Sequence, residues 1–167
     1  MASLPVLHPE LDSPTVTAGN SAGLNDAAAA LVLTSADYAA ANGVAPLARI
    51  RSWASVGVDP VETGLAPTLA IPGRSTGPAC RSTTSSCSRS TRRSARSPSP
   101  RHGGSASTTD IVNVNGSGCG LGHPIAATGA RMVVSMVHEL RRRGQTLGCV
   151  SMCAGGGMGS ALVLELL

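Results

Sequence analysis

The apolar positions of this chain fall into separated groups, each with its own period. From Asp26 the run DAAAALVLTS is apolar without interruption between Ala27 and Leu33, which suits a buried strand or a short helix. Tyr38 to Asn42 then reads as a short helix closed by Gly43. After Pro46, PLARIRSWASVG alternates apolar and polar residues through Leu47, Arg49, Ile50, Arg51 and Trp53, the mark of a half-buried strand. A β-α-β order is the simplest reading of this first stretch.

The pattern resumes at Ile111 to Val114, a short β-branched run that enters the glycine-rich loop GSGCGLGHP. Pro124 is placed as the first residue of a helix. Ile125, Thr128, Met132, Met136 and Leu140 recur at helical spacing, with Val133 and Val137 alongside, and Arg141, Arg142 and Arg143 occupy the last turn before Gly144, where cations oppose the helix dipole. The helix from Pro124 to Arg143 is expected to be the most buried element, because its apolar positions include Ala126, Ala127, Ala130, Val133 and Val137. TLGCVSMC and SALVLELL read as two strands flanking the tight Ala-Gly-Gly-Gly turn, a hairpin apolar on both faces. The fold class is therefore α/β: a mixed β-sheet covered by helices, with strands near 27–34, 47–56, 111–114, 147–153 and 159–165.

Composition narrows this picture. A chain of 167 residues is long enough for one domain with a sizeable core and short for two. One Trp, one Tyr and no Phe leave an aliphatic core. No apolar run reaches the roughly 20 residues that span a bilayer, and MASLPVLHPELDSP has acids and prolines where a signal peptide has an apolar stretch, so a cytoplasmic protein without a membrane partner is expected. The five cysteines, Cys80, Cys87, Cys119, Cys149 and Cys153, lack metal-ligand spacing, and neither a disulfide framework nor a zinc site is expected.

The net charge of +4 is local. Residues 74 to 101 hold seven of the thirteen arginines and none of the nine acids, so the rest of the chain carries six arginines against nine acids, a net of −3. That argues against a nucleic-acid partner for the folded part. The same stretch, RSTGPACRSTTSSCSRSTRRSARSPSPR, has no Val, Ile, Leu, Met, Phe, Tyr or Trp to offset the entropy of ordering, and 74 to 106 is expected to have no stable regular structure. A genuine Arg/Ser-rich insert there would be solvated, open to phosphorylation and able to bind RNA weakly through charge alone.

Candidate chemistry sits at two glycine-flanked polar residues, His123 and Cys153. A lone His before a Pro is more often a capped loop residue, and a Cys among glycines in an apolar strand is more often a small buried hydrophobe. Both, however, follow predicted strands and precede backbone stripped of side chains, which lets a substrate approach N–H donors closely.

In VTAGNSAGLNDAAAALVLTS, PLARIRSWASVGVDP, VNVNGSGCGLGHPIAATGARMVVSMVHELRRRG and CAGGGMGSALVLE, taken in that order, the chain resembles the C-terminal half of thiolases, the family of acetyl-CoA acetyltransferases and 3-ketoacyl-CoA thiolases. The resemblance covers residues 1 to about 71 and 109 to 167, two parts of one C-terminal domain separated by 72–108. It implies carbon–carbon bond formation or cleavage between acyl-CoA thioesters through an acyl-cysteine intermediate, with coenzyme A thioesters as substrates and no other cofactor. His123, matching the Gly-His-Pro histidine, would deprotonate the nucleophilic thiol and help hold a thioester oxygen. Cys153, matching the second cysteine, would move the α-proton of the second acyl-CoA, and the Gly155 N–H would contribute to an oxyanion hole. A serine of the family that lies near the pantetheine arm of CoA matches Ala22, with Ser21 beside it. Cys119 replaces a residue usually small or aliphatic. The family also implies a homo-oligomer, or here a separately encoded N-terminal half.

Two family elements are absent from this sequence. The nucleophilic cysteine belongs to the N-terminal half, and the Asn-Glu-Ala-Phe motif, whose Asn holds a catalytic water, is missing from the basic stretch where it falls. A shifted reading frame accounts for the second. Permitted codons for Cys87 to Ser94, TGT TCG AGA TCA ACG AGG CGT TCG, read from the third base as Phe-Glu-Ile-Asn-Glu-Ala-Phe. The expected function is thus a thiolase-type acyltransferase, here a fragment inactive alone. The alternative is a non-catalytic thiolase-like domain that binds acyl-CoA or another protein without turnover.

Overall fold

The computed structural model describes residues 3–23, 25–71 and 111–167, and the backbone of 82–86. Its centre is a four-stranded mixed sheet of β1 (Ala48–Gly57), β2 (Ser82–Ser86), β3 (Leu147–Ala154) and β4 (Met158–Leu166), in the order β1-β4-β3-β2. β4 runs antiparallel to both β1 and β3, while β2 is parallel to β3. The β3–β4 hairpin pairs Leu147 with Glu165 through to Ala154 with Met158. Its turn needs glycine for a stated reason: Gly156 and Gly157 have φ of 84° and 86°, and a Cβ on Gly157 would lie 2.1 Å from the Val58 carbonyl oxygen.

Both faces of the hairpin are covered, and alternation decides which residue faces which helix. On one face the long helix α4 (Thr128–Arg143) lays Met132, Met136 and Leu140 against Val150 and Leu164. Gly148 lets it come close, since a Cβ there would lie 2.3 Å from the Met136 sulfur. On the other face α2 (Ala66–Ala70), entered through the 3-10 turn Pro60–Leu65, brings Ala70 against Cys149, Ala161 and Val163. Gly159 permits that approach, because its Cβ would meet the Ala66 backbone at 2.5 Å. Two short helices complete the elements, α1 (Ala36–Ala41), capped by the Ser35 hydroxyl, and α3 (Gly118–Leu121), capped by Ser117.

The expected α/β class is found, and so are the strands near 47–56, 147–153 and 159–165. Four expectations need correction. The run 27–34 is not a strand of this sheet: it has no regular secondary structure, with Val32 91% and Leu33 74% exposed, so the β-α-β order of the first stretch fails. Its apolar content states a need for cover that no described element meets. Ile111–Val114 adds no strand either, because Asn113 turns at φ 52° and its carbonyl accepts the Gly116 N–H at 2.8 Å. Within 74–106, expected to lack regular structure, Ser82–Ser86 is a strand, since pairing with β3 is a matter of backbone and not of apolar side chains. The rest of that stretch, with the frame-shift reading and the Asn-Glu-Ala-Phe position, lies outside the described residues.

The long helix begins at Thr128 and not at Pro124. Pro124 opens the preceding turn, where its carbonyl accepts the N–H groups of both Ala127 and Thr128 at 2.9 Å. The buried stripe is Thr128, Met132, Met136 and Leu140, with Val137 and Glu139 beside it, whereas Ile125 and Ala126 are exposed and Ala130 and Val133 half-buried. Among the described residues no helix is long and apolar enough to cross a membrane.

Candidate active site

His123 is set by four neighbours, all drawn from loops and the first turn of α4. Its backbone N–H donates to Asn25 Oδ1 at 3.0 Å, and its Nδ1 lies 2.8 Å from Thr128 Oγ1. The Thr128 hydroxyl donates its one proton back to the Pro124 carbonyl at 2.8 Å, the familiar i to i−4 bond of a helical threonine. Nδ1 is therefore the donor of the pair, and the neutral imidazole carries its lone pair on Nε2. The side chain is only 8% exposed, and burial first, then the positive charge of Arg131, hold its pKa below the ordinary 6.5. At neutral pH it is an uncharged base of fixed tautomer.

The loop that carries His123 is built for close approach. Gly122 has φ of 84°, and a Cβ there would stand 2.6 Å from the Asn25 side chain, so a larger residue would break the Asn25 contact. Upstream, Ser117 caps α3, accepting the Cys119 N–H at 3.2 Å. Cys119 sits in the first turn of this four-residue helix and is exposed. Further back, the Asn115 amide donates to Glu139 Oε2 at 3.0 Å.

Cys153 lies near the end of β3 and is 1% exposed. Strand alternation sets it on the face of Cys149 and Ser151, opposite the Met152 side that α4 covers. Gly129, in the first turn of α4, packs on Met152, whose Cε would be 3.2 Å from a Cβ there, so the His123 turn and the end of β3 share one end of the sheet. Gly155 follows in the hairpin turn, exposed, with nothing within 4 Å of its Cβ position.

Ser21 and Ala22 are placed differently from a free binding surface. The Ser21 hydroxyl donates to the Thr17 carbonyl at 2.8 Å, and Ala22 is buried. Asn20 locks the same loop by accepting the Thr17 N–H at 2.7 Å and donating to the Thr15 carbonyl at 2.8 Å. The Ser21 proton thus holds its own loop together.

Sequence reasoning missed Asn25, Asn115, Thr128 as a partner of histidine, Arg131 and Glu139. Asn115 directly precedes Gly116 and Asn25 lies two residues after Gly23 in the quoted motifs, which is the one signal that could have marked them. Thr128 was read as a position on the apolar stripe. Glu139 reads as an ordinary surface acid until burial is known: it is 5% exposed and bonded to Arg142 and Arg143. The Arg142 hydrogen bond first, then those of Asn115 and Arg143, hold its pKa down at about 2 from 4.5, against burial, which raises it. Among the described residues no group of three or more His, Cys, Asp or Glu could hold a metal.

With this geometry in place, comparison with known proteins is informative. Residues 102–166 match the family described as thiolase, C-terminal domain. The chain is 39% identical over 166 residues to the acetyl-CoA acetyltransferase of Escherichia coli (strain K12), covering 99% of this chain and 42% of that protein. It is 39% identical over 152 residues to the 3-ketoacyl-CoA thiolase of Bacillus subtilis (strain 168), covering 91% and 39%. The crystal structure of the Bacillus anthracis acetyl-CoA acetyltransferase superposes with a TM-score of 0.78 at 37% identity, over 99% of this chain and 42% of that one. The chain thus spans well under half the length of these relatives. Over nearly its whole length it matches the C-terminal part of these thiolase-family proteins, and residues 102–166 carry the thiolase C-terminal domain.

Proposed function

We propose that the chain is the C-terminal part of a cytoplasmic acyl-CoA acyltransferase of the acetyl-CoA C-acetyltransferase type, with residues 1–71 and 109–167 as the two parts of its domain. A cysteine on the N-terminal half of the family's fold, which residues 1–167 do not cover, forms the acyl thioester. His123 Nε2 takes that thiol's proton, and the thiolate attacks the acyl-CoA carbonyl and expels CoA. The Cys153 thiol gives its proton to the departing CoA sulfur and, as the thiolate, removes an α-proton from a second acyl-CoA; the enolate attacks the acyl carbon, forming the new C–C bond and releasing the first cysteine, whose sulfur takes back the proton held by His123. The Gly155 N–H donates to an oxyanion that develops along the way, where a fixed donor is worth most.

The observation that carries this reading is His123: a buried histidine kept neutral, with Thr128 fixing Nδ1 as donor and Nε2 as base. The run Ala27–Leu33, with Val32 and Leu33 in solvent, suits cover by that N-terminal half. Alone, the chain is expected to show no thiolysis of acetoacetyl-CoA by CoA, followed as loss of enolate absorbance. Co-expression with the part of the Escherichia coli relative that it does not cover should restore turnover. His123→Ala and Cys153→Ala should each abolish it again. Acyl-CoA binding without turnover in the reconstituted pair would favour the non-catalytic alternative.

A further inference from the structure

The loop from Asn115 to His123 is held at both ends by one helix. At its far end, Thr128 in the first turn of α4 accepts from His123 Nδ1 at 2.8 Å. At its near end, Glu139 accepts from the Asn115 amide at 3.0 Å. Thr128 and Glu139 are eleven residues apart, about 16 Å along the axis, and both are buried. Between the anchors the loop has few side chains to hold it: four of its nine residues are glycine, and its own bonds are the turn from Asn113 to Gly116 and the α3 turn on Ser117. A loop so constituted has little local stability of its own and takes its register from its anchors.

Burying a carboxylate at the Asn115 end is costly unless its oxygens are paired. Glu139 is paired on each: Arg142 Nε donates to Oε2 at 2.9 Å, and the Arg142 Nη2 and Arg143 Nε donate to Oε1. The arginines at the helix end, which the sequence assigned to the dipole alone, thus keep an acceptor charged in front of Asn115. We propose that Glu139, through Asn115, is a positioning residue for His123, setting the register in which the loop presents the imidazole. It rests on the reading of His123 as the working base, but its test reads loop order and not catalysis, so the two can fail separately.

The test is hydrogen exchange on the full chain, comparing the amides of Gly116, Gly120, Leu121 and His123 with those of α4 and the β3–β4 hairpin. Asn115→Ala should speed exchange of the loop amides roughly tenfold or more, the factor carried by loss of a hydrogen bond to a charged acceptor, and leave the reference amides unchanged. Asn115→Asp, which sets a second carboxylate against Glu139, should be worse than Ala. The swapped pair Asn115→Asp with Glu139→Gln restores one donor and one acceptor and should return loop exchange toward the wild-type rate. The imidazole 15N shifts should follow, moving from Nδ1–H toward mixed tautomers in Asn115→Asp and back in the swap. Loop exchange unchanged in Asn115→Ala, acceleration equal in loop and reference amides, or a swap as fast as Asn115→Asp alone would each overturn the proposal.

Discussion

Residues 25–57 and 118–166 carry comparable apolar sequence and meet opposite fates. Leu140 is completely buried under the sheet, while Leu33 and Trp53 stand 74% and 75% exposed. The difference lies in partners. The hairpin β3–β4 has a helix on each face and a strand on each side, so its apolar positions other than Met158 at the turn find full or partial cover within the described residues. The run before α1 has none, and β1 is an edge strand. An apolar period therefore reports that a residue needs cover, and it leaves open whether that cover comes from the same chain.

Truncation of the hairpin's cover should have the largest effect. Leu140→Ala removes a fully buried side chain between α4 and the sheet and is expected to cost about 4 kcal/mol in urea unfolding. Gly159→Ala should follow at about 3 kcal/mol, because the new Cβ meets the Ala66 backbone, which cannot swing aside as a side chain does. A loss under 1 kcal/mol at Gly159 would mean that α2 sits more loosely on β4 than described.

Glu139→Ala should cost about 2 kcal/mol, less than a fully buried pair because Arg142 is largely in solvent. Its acid dependence sharpens the point. The folded-state pKa of Glu139 is depressed from 4.5 to about 2, so its contribution is complete above 4.5 and is lost as pH falls toward 2. The gap between wild type and Glu139→Ala in thermal denaturation should therefore close over that window. His123 titrates in a different range. Its folded pKa lies below 6.5, so the unfolded chain takes up its proton first, and stability should fall as pH drops below 6.5. In His123→Gln that part of the decline should vanish.

The smallest effect is expected in the exposed run. Leu33→Ser should change the stability of the isolated chain by less than about 0.5 kcal/mol, yet weaken association with an N-terminal half. A large loss of stability in the isolated chain would show that the run is covered within it.

What the sequence could reveal follows from the same logic. The hairpin and long helix were legible because period and cover agree there: Met132, Met136 and Leu140 repeat at helical spacing, and a helix of this chain meets them. His123 and Cys153 stood out because glycines flank them. The run 27–34 was misread because a buried strand and an exposed irregular run can have the same composition. Ile111–Val114 was misread because a single residue, Asn113, takes a positive φ that β-branched neighbours gave no reason to expect. Glu139 was invisible, since only burial turns a carboxylate and two helix-end arginines, eleven residues and more along the helix from Thr128, into an anchor for a loop.

The central proposal is a division of labour, with the acyl-accepting thiol on the N-terminal half of the family's fold and the proton-transferring groups within residues 1–167. It is tested most directly by trapping the acyl group. The reconstituted pair would be mixed with acetyl-CoA, quenched in acid and mapped by peptide mass spectrometry for acetyl thioesters. The account expects the adduct on a cysteine of the N-terminal half, in amounts lowered by His123→Ala, and none on Cys119, Cys149 or Cys153. An acetyl thioester on this chain, Cys119 being the exposed candidate, would contradict it.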